Sequence, residues 1–115
     1  MIQLKRVYEE RDHSDGARIL VDRLWPRGLT KEKAAVDEWM KEIAPTTELR
    51  KWFDHDLDRW KEFQARYRKE LAQNKELVKD LKQKAKGHTI TLVYGAHDQE
   101  HNAAVVLKEV LQAKK

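Results

Sequence analysis

Thr89-Ile90-Thr91-Leu92-Val93-Tyr94 runs directly into Gly95-Ala96. β-branched and aromatic residues dominate this stretch, so it predicts a short buried strand that ends in a turn. Asp98 follows as a helix N-cap. Ala103, Val106, Leu107, Val110 and Leu111 then mark the buried face of a helix over Gln99 to Gln112.

Upstream, Trp60, Phe63, Tyr67 and Leu71 recur at spacings of three, four and four, and Val78, Leu81 and Ala85 continue the stripe. That periodicity predicts a long helix, or two helices parted near Gln73-Asn74, with Gly87 just past the end. Asp56 is the N-cap expected to open it. Thr46 caps a shorter helix over Thr47 to Asp54, and Thr30 caps a brief one over Lys31 to Ala35. Further back, Ala17-Arg18-Ile19-Leu20-Val21 reads as a second buried strand, ended by Pro26 and Gly28. Ile2, Leu4 and Arg6 alternate with Gln3, Lys5 and Val7 as a first strand.

Strands joined by long helical stretches imply an α/β fold. The expected architecture is a single domain over residues 1–115, a small, mainly parallel, three-stranded sheet packed by helices. Only about eight residues join the first two strands, short for a parallel crossover between neighbours. They are either separated in the sheet or antiparallel.

The chain has 115 residues, 40% hydrophobic and 38% charged, which suits one core. Four tryptophans, three tyrosines and two phenylalanines argue against disorder. There is no cysteine, so disulfides, thiolate catalysis and cysteine-bound metals are excluded. The net charge of +4 is mild because 20 acidic residues interleave with 24 basic ones. Local basicity is confined to the long helix and to Lys114 and Lys115. The N-terminus lacks a signal-peptide pattern, and no apolar run approaches the roughly 20 residues that span a bilayer. A cytoplasmic location is expected, without membrane association.

Val21-Asp22-Arg23-Leu24-Trp25-Pro26-Arg27-Gly28 is the first of four linked motifs. The second is Ala44-Pro45-Thr46 followed by Leu49-Arg50-Lys51-Trp52-Phe53 and His55-Asp56. Trp60, Phe63 and Tyr67 form the third. The fourth is Thr91 to Ala96 with Asp98, His101, Asn102 and Ala104. Together they closely resemble the YeaO-like proteins, the short branch of the family called domain of unknown function 488, over essentially the whole chain. The resemblance implies a bacterial or archaeal cytoplasmic α/β protein and no particular activity. Some members carry a transcription-regulator label, yet no helix-turn-helix signal is present here. Longer relatives have a Cys- and His-bearing motif after the last strand. This chain has Tyr94-Gly95-Ala96 there, so thiol chemistry does not carry over. His97 stands where the family more often has Lys, and Leu57 where it often has Pro.

If the second and third of these strands are parallel, their carboxyl ends lie side by side, where open α/β sheets bind ligands. That edge gathers Asp22, Arg23, Trp25 and Arg27 with Tyr94, Asp98, His101 and Asn102. Two arginines, a histidine and a helix N-terminus suit a small phosphate- or carboxylate-bearing ligand. The competing reading is structural: Asp22 pairs with an arginine, Trp25 and Pro26 pack, and Asp98 only caps. Arg50 and His55 are secondary candidates, with His55 between two aspartates as a carboxylate-held acid or base, or simply a loop residue. The alternative function is a nucleic-acid or protein interaction module on the basic face of the long helix, formed by Arg59, Lys61, Arg66, Arg68 and Lys69.

Metal sites and cofactors are not expected. Asp54, Asp56 and Asp58 alternate as in a calcium loop, but Arg59 occupies the glycine position and Ala65 the final acidic one. His97 and His101 are spaced as metal ligands, yet the intervening zincin glutamate is missing. Oligomeric state stays open.

Overall fold

The computed structural model describes residues 1–113; Lys114 and Lys115 of the basic C-terminus lie outside the described residues. Four strands form one sheet: β1 (Ile2–Arg6), β2 (Ala17–Leu20), β3 (Glu38–Trp39) and β4 (Ile90–Tyr94). Their order is β1-β4-β2-β3, and every neighbouring pair is parallel. The sheet therefore has four strands, not three. The extra strand, β3, is two residues long and begins on the exposed Glu38, so it offers no alternation to read. Its pairing is extended by Asp37 N–H donating to Arg18 and Met40 N–H donating to Leu20, at 2.8 and 2.9 Å.

All five residues of β4 are buried, which explains its central place. It also explains the short link between β1 and β2. The two are parallel but not neighbours, because β4 lies between them, pairing Leu4 with Leu92 on one side and Ile19 with Leu92 on the other. The chain returns to the start of β2 through a 3-10 turn at His13–Asp15, closed by a reciprocal capping box between Asp12 and Asp15. Gly16 then adopts φ +62°, and a Cβ there would stand 2.0 Å from the Thr89 carbonyl oxygen. Only glycine fits this approach of one backbone to another.

Helices α1 (Lys31–Ala34) and α2 (Thr47–Phe53) start at Thr30 and Thr46, whose hydroxyls accept from Lys33 and Leu49 N–H. The long helical stretch is two helices, α3 (Trp60–Gln73) and α4 (Lys75–Ala85), parted at Asn74. Helix α5 (Ala103–Gln112) begins four residues later than its sequence pattern suggests. Asn102 is its cap, accepting from Val105 N–H at 3.0 Å. Asp98 instead closes a separate turn, accepting from Glu100 and His101 N–H. Both residue types cap well; the extended backbone at Asn102 decides which one starts the helix.

The side chains of the sheet divide between two cores. On one face Ile19, Val21, Ile90, Leu92 and Tyr94 meet the helices, including Phe63, Tyr67 and Leu71 of α3 and Val106 and Leu107 of α5. The stripe read from the sequence is therefore core. Phe53 stacks on Phe63 at 4.3 Å, Phe63 stacks on Tyr67 at 5.9 Å, and the Tyr67 hydroxyl donates to the Ile43 carbonyl at 2.8 Å.

The other face is thinner. Val7, Leu20, Ala34 and Val93 pack there with Trp25, Leu29, Val36 and Trp39. It also holds a polar group: Arg18, Asp15 and Thr91 are all buried. Arg18 donates to Asp15, to the Val7 carbonyl and to the Ala34 carbonyl, tying the β1–β2 loop and α1 to the sheet. No described helix is long and apolar enough to cross a membrane.

Candidate functional site at the carboxyl edge of the sheet

Strands β1, β2 and β4 end together, and the chain beyond each end decides what that edge offers. The Asp22 carboxylate, directly after β2, accepts from Gly95 N–H at 2.8 Å. A Cβ on Gly95 would sit 3.3 Å from the same oxygen, so a side chain there crowds Asp22. Burial pushes the Asp22 carboxyl above its ordinary range, while the Gly95 N–H and the nearby Arg50 charge pull it back. The Asp22 carbonyl accepts from the Trp39 indole at 2.7 Å.

On the β4 side, Tyr94 is buried, and burial raises its hydroxyl above its ordinary value. The Asn102 amide beside it pulls the other way. The Asn102 side chain donates to the Asp98 carbonyl at 2.8 Å. His101 Nδ1 lies 3.0 Å from the Asp98 carboxylate, and its ring meets the Trp60 ring edge-on at 5.3 Å. The Glu100 and His101 N–H groups hold the Asp98 carboxyl below its ordinary range, with His101 adding to the effect. The pair fixes the imidazole orientation and leaves Nε2 as the nitrogen that can meet a ligand. Asp22, Tyr94, Asp98, His101 and Asn102 thus stand at one edge.

The remaining candidates divide. Arg23 is turned to structure: it donates to the Ala44 and Pro45 carbonyls at 3.0 and 3.3 Å, with Glu42 at 3.8 Å. Trp25 belongs to the second core, its indole donating to the Leu29 carbonyl at 2.8 Å and its ring edge-on to Trp39. Arg27 is exposed, and its carbonyl accepts from the Tyr8 hydroxyl at 3.0 Å. Arg50 is exposed on α2, its charge felt at Asp22. His55 is exposed just past the left-handed end of α2, with its own φ at +56° and its ring 6.3 Å from Phe53. The N-terminus of α5 is less open to an anion than its position suggests, because Asn102 occupies the Val105 N–H.

One residue at this edge escaped the sequence reading. Arg6 closes β1 and donates to the Ala96 and Gly95 carbonyls at 2.9 and 3.1 Å, while its guanidinium sits 4.8 Å from the centre of the Tyr8 ring. The signal was there: Arg6 takes the third place in a row begun by Ile2 and Leu4, where a cation needs acceptors. Among the described residues, no three or more metal-ligating side chains come together.

The chain belongs to the DUF488-N3i family, described as the inactive DUF488-N3 subclade, whose model matches residues 1–115. It is 48% identical over 112 residues to the uncharacterized protein YeaO of Escherichia coli (strain K12), covering 97% of each chain. It is 36% identical over 113 residues to the uncharacterized protein Rv3073c of Mycobacterium tuberculosis, covering 98% of this chain and 95% of that one. No solved structure matches it.

Proposed function

We propose that this member of the subclade binds a small phosphate- or carboxylate-bearing ligand at the carboxyl edge of the sheet, without transforming it. The observation that carries the reading is Arg50. It stands exposed beside the half-buried Asp22, and among the described residues it has no ion-pair partner. Arg27 is likewise exposed and unpaired among the described residues. A guanidinium not bound in a close ion pair keeps its donors for an incoming anion. His101, held by Asp98, supplies an oriented nitrogen at the same edge. The subclade's description as inactive agrees with binding rather than catalysis.

The corresponding measurement is thermal shift against inorganic phosphate and a panel of phosphorylated and carboxylated metabolites. A ligand that prefers the native state raises the melting temperature. Arg50→Ala with Arg27→Ala is expected to keep the native circular dichroism and a cooperative melt, slightly lowered by the loss of the Arg50 charge near Asp22, and to abolish the shift. A shift that survives the double variant overturns the assignment of these arginines.

The basic face of α3 is the weaker reading. Arg59 lies 3.6 Å from Asp56, Arg66 pairs with Glu62, and Arg68 lies 2.7 Å from Glu109. Carboxylates therefore interrupt the positive field that a polyanion needs.

A further inference from the structure

We propose that the free edge of β1 is a self-complementary surface on which a second copy of this chain pairs antiparallel, so that one sheet runs through both copies. The argument begins with the direction of the main-chain groups. Ile90 N–H donates to the Met1 carbonyl, and Val7 N–H donates to the Tyr94 carbonyl. A parallel ladder alternates, so Met1, Gln3, Lys5 and Val7 direct their N–H and C=O toward β4. Ile2, Leu4 and Arg6 direct theirs outward, away from the sheet.

The outward groups do not share one fate. Arg6 N–H donates to the Glu9 carboxylate at 3.1 Å, and the Arg6 carbonyl accepts from Glu9 N–H at 3.0 Å. The carboxyl end of the edge is thus closed by its own loop. Ile2 and Leu4 have no such partner among the described residues. Edge strands are ordinarily blunted by proline, bulges or projecting charge. Here the stretch Ile2-Gln3-Leu4 has none of these, and the adjacent Lys5 is bound inward, 3.2 Å from Asp15.

Sterics and charge then select a register. Centring a two-fold axis on Leu4 sets Ile2 against Arg6 of the second copy, whose groups Glu9 already occupies. Centring it on Ile2 carries Leu4 past the end of the facing strand. With the axis at Gln3, Ile2 faces Leu4 of the second copy, and each exchanges both its N–H and its C=O. Gln3 then faces its own counterpart in a close non-hydrogen-bonded pair. Lys5 faces Met1, but the Lys5 ammonium is held 3.2 Å from Asp15 and the Met1 amino group donates to the His88 carbonyl at 2.9 Å, so each positive charge is engaged within its own copy. The interface is short, so the pairing depends on concentration.

The chain has no cysteine, which makes a cross-linking test specific. Sedimentation of the untagged protein from about 1 µM to about 1 mM is expected to show a mass rising toward about twice the 13.7 kDa of one chain. Under mild oxidation Gln3→Cys is expected to form a covalent dimer, because only that register brings position 3 against itself. Ala72→Cys, exposed at the end of α3, is expected to stay monomeric under the same treatment. Gln3→Lys sets two ammonium groups face to face and is expected to weaken the dimer by at least about tenfold, with unchanged circular dichroism. A mass of one chain at every concentration overturns the proposal. So does a dimer that Gln3→Lys leaves intact and Gln3→Cys fails to cross-link, since such a dimer uses another surface.

Discussion

Arg18, fully buried, places Nη1 3.1 Å from the carboxylate of Asp15, three residues earlier in the chain. Asp15 also accepts from Lys5 at 3.2 Å and from Asp12 N–H at 3.1 Å, whereas Arg18 Nε has no partner among the described residues. The guanidinium is therefore the more exacting member: it pairs with one carboxylate, and two carbonyls accept from Nη2. Asp15→Ala leaves a buried cation uncompensated and is expected to cost about 3–5 kcal/mol by urea denaturation. Adding Arg18→Met removes that charge, so the double variant is expected to be more stable than Asp15→Ala alone. A double variant that is less stable shows that Arg18 acts mainly through its carbonyl contacts.

The carboxylates of the thin face also set the response to acid. Burial pushes both Asp15 and Asp37 up, but hydrogen bonds outweigh it and hold them below the ordinary range. For Asp15 these come from Asp12 N–H, Arg18 and Lys5; for Asp37 they come from Arg18 N–H and Arg11. A depressed folded value gives stability that is present above the unfolded value, about 3.9, and is lost as pH falls through the folded one. Thermal melts are expected to hold steady down to about pH 5 and to fall steeply below about pH 4. Asp15→Asn is expected to flatten that fall.

Asp22 has the opposite sign. Burial raises its carboxyl, so its contribution is present below the unfolded value and is lost as pH rises through the folded one. Asp22→Asn removes that loss while an amide oxygen still accepts from Gly95 N–H. The variant is expected to melt higher than the parent at neutral pH. A lower melting temperature means that the attraction of Arg50 outweighs burial.

The two arginines of the Asp22–Gly28 segment are expected to behave differently. Arg23→Ala strips donors from the Ala44 and Pro45 carbonyls and is expected to cost about 1–3 kcal/mol. Arg27→Ala touches only an exposed side chain and is expected to stay within about 0.5 kcal/mol of the parent. Denaturation of the two single variants side by side measures the difference.

Two glycines with positive φ make a similar contrast. Gly28 has φ +81° with open space where a Cβ would point, so Gly28→Ala carries only the conformational cost, about 1 kcal/mol. At Gly16 the added carbon meets the Thr89 carbonyl, and Gly16→Ala is expected to cost more than about 2 kcal/mol. Thermal denaturation ranks them.

The residues that were legible are those whose neighbours repeat. β4 and the stripe from Trp60 to Leu71 carry their burial in their periodicity, and the structure buries them or packs them against the core accordingly. β3 was not legible, because two residues hold no period and their pairing depends on β2. Nor was the start of α5: Asp98 and Asn102 are both competent caps, and only the backbone separates them. At the carboxyl edge, the sequence pattern located Asp22, Tyr94, Asp98, His101 and Asn102. It could not say where Arg23 or Trp25 turn, because their acceptors lie on Ala44, Pro45 and Leu29, distant or unpatterned. Arg18 inside a buried strand is a signal of another kind, since a cation there requires a carboxylate nearby, but the pattern does not say which one.

The position of β4 between β1 and β2 has a consequence for synthesis. The strand that both others need is made last, with Ile2 waiting for Ile90 and Ala17 waiting for the same residue. On the ribosome β1 therefore emerges without a partner and β2 with only the two-residue β3, and the four-stranded sheet cannot close until Tyr94 clears the exit tunnel. Folding then waits on closure of one long loop rather than on any local element. A nascent chain arrested before Ile90 is expected to be fully sensitive to protease, and one joined to a C-terminal linker long enough to carry Gln112 clear of the tunnel is expected to be resistant.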